Sequence, residues 1–100
     1  MPQFVLMTKL SPELLADPRG RRAMSKKWLE TVSHHCPEVK WLAHYALLGR
    51  YDFMDIYEAP DSLTAHKVSH LSRAEGAISA ESWQALPWDD YMQMVGELEE

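Results

Sequence analysis

Residues Ala46–Asp61 read ALLGRYDFMDIYEAPD. An apolar run meets Gly49-Arg50, a second β-rich run reaches Ala59, and Pro60-Asp61 opens a helix. Apolar residues on both sides of a short glycine turn predict two antiparallel strands. Asp61 is a good helix N-cap because its carboxylate accepts from free N–H groups of the first turn. The stretch therefore predicts a β-hairpin handing off to a crossover helix.

Working outward, Gln3–Leu10 predicts a strand bounded by Ser11-Pro12, and Glu13–Ala16 a short helical turn. Asp17-Pro18 sets an N-cap before a proline at the first helical position. From there Ala23 or Met24, Trp28, Val32 and His35 recur at helical spacing until Pro37. Val39–Leu48 is the second predicted strand and Tyr51–Ala59 the third, with Gly49-Arg50 as a tight two-residue connection. After Asp61, Ala65, Val68, Leu71 and Ser72 form a helical stripe that Gly76 stops. Ala77–Leu86 is the fourth strand, closed by Pro87, and Trp88–Leu98 a terminal helix with Asp89 and Asp90 in its first turn.

The order β-α-β-β-α-β plus a terminal helix predicts an α+β fold. It is the ferredoxin-like arrangement: a four-stranded antiparallel sheet with two helices on one face and a C-terminal helix. One hundred residues fit a single domain, 1–100. A domain this small buries roughly 60–65% of its unfolded surface. Hydrophobic residues make up 46% of the chain and four are Trp. With one sheet face bare, that apolar content predicts cover from a second subunit.

The formal net charge of −5 argues against a nucleic-acid partner. Arg19, Arg21, Arg22, Lys26 and Lys27 nevertheless crowd one stretch, as a solvated helix face or as an anion-binding patch. Cys36 is alone, so no intrachain disulfide forms. The N-terminal MPQFVLMTKL lacks a basic leader and a long apolar run, so the expectation is a cytoplasmic protein without a membrane partner.

Ala43–Asp61 and Ala65–Trp88 (AHKVSHLSRAEGAISAESWQALPW) resemble the GYD-domain family, within the dimeric α/β-barrel group of ferredoxin-like folds. The eponymous Gly-Tyr-Asp is interrupted here by Arg50, between Gly49 and Tyr51-Asp52. The resemblance implies a small cytoplasmic protein of bacterial or archaeal type that pairs sheet to sheet. It carries no particular reaction. Proteins on this fold include cofactor-free monooxygenases, haem-handling enzymes and small-ligand binders, and fold analogy does not choose among them.

Strand alternation assigns faces. Met54 and Ile56, the more apolar set, are expected under the helices. Tyr51, Phe53, Asp55 and Tyr57 are then expected on the open face. A two-residue loop puts Leu48 opposite Tyr51, Ala46 opposite Phe53, His44 opposite Asp55 and Leu42 opposite Tyr57. Glu81 and Trp83 of the fourth strand are expected on that same open face. The expected site is a cleft at the dimer seam, with aromatic walls (Tyr51, Phe53, Tyr57, Trp83) and polar His44, Asp55 and Glu81. His44 polarised by Asp55 is the candidate general base if the site is catalytic. The same residues serve equally as an interface pair and as packing.

No cofactor or metal is expected. His66 and His70 share helical i, i+4 spacing but lack the glutamate of a zinc protease motif, and they project opposite the apolar stripe. His34, His35 and Cys36 sit at a helix end, where capping accounts for them. Trp88, Tyr91, Met92 and Val95 give the terminal helix an apolar face, for its own subunit's edge or a neighbour. The expected roles are small-ligand binding (flat or anionic) in a self-associating protein, or a structural or regulatory oligomer. The alternative is a cofactor-free oxygenase or isomerase using His44 and Asp55.

Overall fold

The computed structural model describes residues 1–99. Its elements run β1 (Gln3–Leu10), α1 (Pro12–Leu15), α2 (Pro18–His35), β2 (Lys40–Ala46), β3 (Phe53–Glu58), α3 (Ser62–Ala74), β4 (Ala77–Ala85) and α4 (Trp88–Leu98). The strands form one sheet in the order β2-β3-β1-β4, antiparallel throughout. This is the ferredoxin-like α+β arrangement that the element order predicts.

Local signals explain the helix boundaries. Asp17 Oδ1 accepts from the Arg19 and Gly20 N–H groups, and Pro18 opens α2. Asp61 Oδ1 accepts from both the backbone N–H and the hydroxyl of Thr64 at the start of α3. The Asp61 carboxyl is accordingly held below its usual range by those Thr64 bonds. Gly76, just past α3, has φ 121°, and a Cβ there would lie 3.0 Å from Leu14 Cδ1. Glycine meets both demands: a left-handed backbone and a close approach by α1.

Helices α2 and α3 cover the sheet face that carries Phe4 and Leu6, and Val32, Val68, Tyr57 and Ala59 complete the core. The β1 register fixes what else shares that face. Leu6 lies between Asp55 and Ser82, and Phe4 between Tyr57 and Gln84. The expected face assignment of β3 is therefore reversed. Phe53, Asp55 and Tyr57 look toward the helices, while Met54 and Ile56 lie on the open face with Val5 and Met7. The reason is polar satisfaction. The Tyr57 hydroxyl pairs with Ser82 Oγ at 2.7 Å and Asp55 pairs with His44, so the bulkier aromatic is buried without orphaned groups.

Two further details differ from the tight hairpin. β2 and β3 are joined by six residues, 47–52, because Asp52 is drawn to β1. Its carboxylate accepts from Leu10 N–H at 2.8 Å and its own N–H donates to the Thr8 carbonyl. A register shift between Trp41 and Ala43 makes Trp41, not Leu42, the partner of Tyr57. On α2, Met24, Trp28, Leu29 and Val32 turn inward, whereas Ala23 and His35 are exposed. Cys36 at the end of α2 is buried in the core, and burial pushes its thiol pKa up.

α4 stands apart. None of its residues is buried, and Trp88, Tyr91, Met92 and Leu98 are exposed. The radius of gyration is 15.3 Å, against ~13 Å for a compact chain of this length. Packing of α4 against its own subunit is not what the structure shows.

Candidate functional site

The sequence pairs His44 with Asp55, and the structure brings them together. They are register partners on β2 and β3, and His44 Nδ1 lies 2.7 Å from Asp55 Oδ1. Asp55 is only 6% exposed. Burial pushes its carboxyl pKa up, and the His44 hydrogen bond and charge pull part of that rise back. Nδ1–H donation to the carboxylate leaves the Nε2 lone pair of His44 free to take a proton.

The dyad does not look toward a sheet-to-sheet seam. It lines a cavity of ≈ 290 Å³ between α2 and the sheet. Met24, Trp28 and Leu29 of α2 form one wall, and Ala46, Phe53 and Leu10 of the strands the other. Thr8, Ser25 and Ser72 supply hydroxyls, and Arg21 and Glu75 stand at its border. Trp28 is fixed by donation of its indole N–H to Ser72 Oγ at 2.9 Å, and Ser72 in turn donates to the Val68 carbonyl. Aromatic rings brace the dyad: Trp41 is 5.2 Å from the His44 ring, 5.0 Å from Trp28 and 5.3 Å from Tyr57.

The remaining predicted site residues fall into separate groups. Tyr57 is fully buried beneath the aromatic cluster, and desolvation pushes its pKa up to about 12. It supports Trp41 and does not line the cavity. Tyr51, Glu81 and Trp83 form a cluster on the opposite face. The Tyr51 hydroxyl donates to Glu81 Oε2 at 2.8 Å, and the Trp83 indole N–H donates to Glu81 Oε1 at 3.0 Å. Those donors hold the Glu81 carboxyl below its usual range, Trp83 first, and Glu81 raises Tyr51. Asp55 and Glu81 thus lie on opposite sides of the sheet, and the expected single cleft is not formed. Phe53 and His44 alone of the aromatic and basic candidates reach the cavity with Asp55.

Sequence reasoning missed Arg21, Met24, Trp28 and Ser72 as cavity residues. Met24 and Trp28 were legible as an inward stripe, but nothing in their spacing says that the stripe stops short of the sheet. Arg21 was lost among its charged neighbours. His66 and His70 are exposed on α3, and among the described residues no three potential ligands converge on a metal position. Among the described residues no helix is long and apolar enough to cross a membrane.

Known proteins agree with this architecture. A "crystal structure of FFRP-DM1" superimposes with a TM-score of 0.53 at 17% identity, covering 86% of this chain and 100% of that one, which is a likeness of fold. A Thermus thermophilus protein, "Glutamine synthetase and cystathionine beta-lyase binding protein", is 27% identical over 95 residues, 90% of this chain and 94% of that protein. The GYD domain model matches residues 4–95, and the chain belongs to the GYD domain family.

Proposed function

We propose that this protein is a small cytoplasmic regulatory binding protein. It holds a low-molecular-weight ligand between α2 and the sheet, and pairs with a second copy through its helix-free face and α4. The observation that carries the ligand reading is the ≈ 290 Å³ cavity, apolar over most of its wall and bordered by a few fixed polar groups. That composition is typical of small-molecule pockets, and the volume sits near the lower end of their ~300–1,000 Å³ range.

Self-association is supported by what is left uncovered. Met54, Ile56, Val5 and Trp83 share the face without helices, and α4 presents Trp88, Tyr91 and Met92 to solvent. Apolar surface of that extent on so small a chain calls for a partner. The enzyme-binding name of the Thermus thermophilus relative extends the reading to protein partners, with the same surface as the docking region.

Native mass spectrometry of freshly purified protein tests both parts. The expected species is a dimer carrying a small adduct that a denatured control releases. A bare monomer would refute the reading.

One observation favours a second reading. The His44–Asp55 pair, with Nε2 unblocked beside a cavity, is the arrangement of a general base. A cofactor-free oxygenase or isomerase would use His44 to remove a proton from a bound carbon acid. Deuterium exchange from solvent into the released ligand, abolished in His44→Ala, would select that reading.

A further inference from the structure

Besides the phenol of Tyr45, four acidic or basic side chains border the α2–sheet cavity: Arg21, His44, Asp55 and Glu75. Three of them have partners of matching character. Asp55 holds His44. Glu75 accepts from the Thr31 hydroxyl at 3.0 Å and lies 3.7 Å from Lys27 Nζ. Arg21 is different. Its Nη2 donates to the Leu14 carbonyl at 2.6 Å, while its Nη1 is sealed from solvent and, among the described residues, has no acceptor. No carboxylate pairs with its charge among the described residues. The guanidinium carbon lies 5.7 Å from the centre of the Phe53 ring, on the cavity wall.

A guanidinium with one nitrogen cut off from water and a single carbonyl acceptor is under-satisfied, since it offers five donors in a planar fork. The fork matches a carboxylate, and such charge-assisted pairs are among the stronger hydrogen bonds. Most of the remaining wall is apolar and its two carboxylates, Asp55 and Glu75, are already partnered, so it suits the body of an amphiphile and not a second charge.

We propose that the cavity takes a small monocarboxylate with a flat or apolar body. The guanidinium of Arg21 turns Nη1 onto the carboxylate beside Phe53, and the body lies against Met24, Trp28 and Leu29. This rests on the reading of the cavity as a ligand site and adds the chemical class of the ligand. It also gives Arg21 a role distinct from its charged neighbours on α2, which face solvent.

The probes are phenylacetate, 2-phenylethanol and phenethylamine, matched in shape and differing in charge. Affinity is measured by calorimetric titration of the full-length protein. The indole N–H resonance of Trp28 reports whether binding occurs in the cavity. Phenylacetate is expected to bind roughly tenfold or more tighter than the alcohol, with the amine weakest, because a hydrogen bond to a charged partner is worth about that ratio. Arg21→Gln should bring phenylacetate and the alcohol to within about twofold of each other, phenylacetate losing the more affinity of the two. Arg21→Lys, which keeps the charge but not the fork, should retain part of the preference. If the alcohol shifts Trp28 and phenylacetate binds no tighter, the cavity is a ligand site and the carboxylate class is wrong. If none of the three probes shifts Trp28, the cavity reading falls with it.

Discussion

His44 Nδ1 and Asp55 Oδ1 lie 2.7 Å apart across β2 and β3, on the side of the sheet that faces α2. The pair is asymmetric. Asp55 is buried, whereas the His44 side chain is 45% exposed. The histidine thus gives a donor to a carboxylate that the core would otherwise leave without one, and His44 itself lines the cavity.

His44→Ala removes the donor and leaves the buried carboxylate uncompensated. The expected loss is about 1–3 kcal/mol of stability, read by urea denaturation at neutral pH, with the oligomer intact. A variant as stable as the parent would mean that water replaces the imidazole at no cost.

Asp55→Asn tests the pH dependence. The folded-state pKa of Asp55 is raised, chiefly by burial. Its contribution to stability is therefore fully present below the ordinary value of about 4 and is lost as pH rises through the folded value. The asparagine variant lacks that loss, so its stability relative to the parent should climb with pH from about 4 upward. Asp61 and Glu81 act in the opposite sense, because their pKa values are lowered: their stabilisation is lost as pH falls. The difference between variant and parent isolates the Asp55 term.

Tyr57→Phe deletes a hydroxyl bonded to Ser82, which keeps Ser69 as a partner at 2.7 Å. The expected cost is about 0.5–1.5 kcal/mol. In the parent, the raised phenol pKa stabilises the fold below the ordinary value of about 10 and withdraws that support as pH rises toward about 12. Ultraviolet titration should show one tyrosine ionising only with unfolding.

Charges placed on the two alternating residue sets of β3 should separate the two sheet faces. Ile56→Asp puts a carboxylate into the proposed seam and should convert dimer to monomer in light-scattering chromatography. Phe53→Asp, two strand positions from Asp55 and on the cavity side, should leave the dimer in place and alter ligand retention. The reverse pattern would place the seam elsewhere.

Tyr91→Glu with Met92→Glu changes only exposed positions of α4. Protomer stability should stay within about 0.5 kcal/mol. Dimer affinity should fall if α4 reaches across to the second copy. An unchanged dissociation midpoint on dilution would remove α4 from the interface.

The helix caps at Asp17 and Asp61, the breaks at Pro37 and Gly76, and the β-α-β-β-α-β order were all legible in the chain, because each depends on neighbours a few residues away. The His44–Asp55 pairing was legible too, since Ala46 opposite Phe53 sets the register on either side of the connection. It survived the wrong loop length because the extra loop residues are distributed evenly, Leu47 and Leu48 before the glycine turn and Tyr51 and Asp52 after it. Alternation along β3 likewise separated Met54 and Ile56 from Phe53, Asp55 and Tyr57.

What alternation does not contain is a direction. A two-residue period divides a strand into two sets but assigns neither to the helices, and polarity alone put the aromatic set outward. Tertiary packing decided otherwise, because Ser82 from β4 and His44 from β2 satisfy the polar atoms of Tyr57 and Asp55, removing the cost of burying them. The same packing singled out Arg21 from a run of similar cations: its position beside Phe53 and the Leu14 carbonyl is set by contacts distant along the chain. Sequence alone fixed which elements form and which strand residues pair. Only the folded chain decided which face is the core, where the cavity opens and which arginine borders it, because those depend on long-range hydrogen-bond satisfaction and not on local pattern.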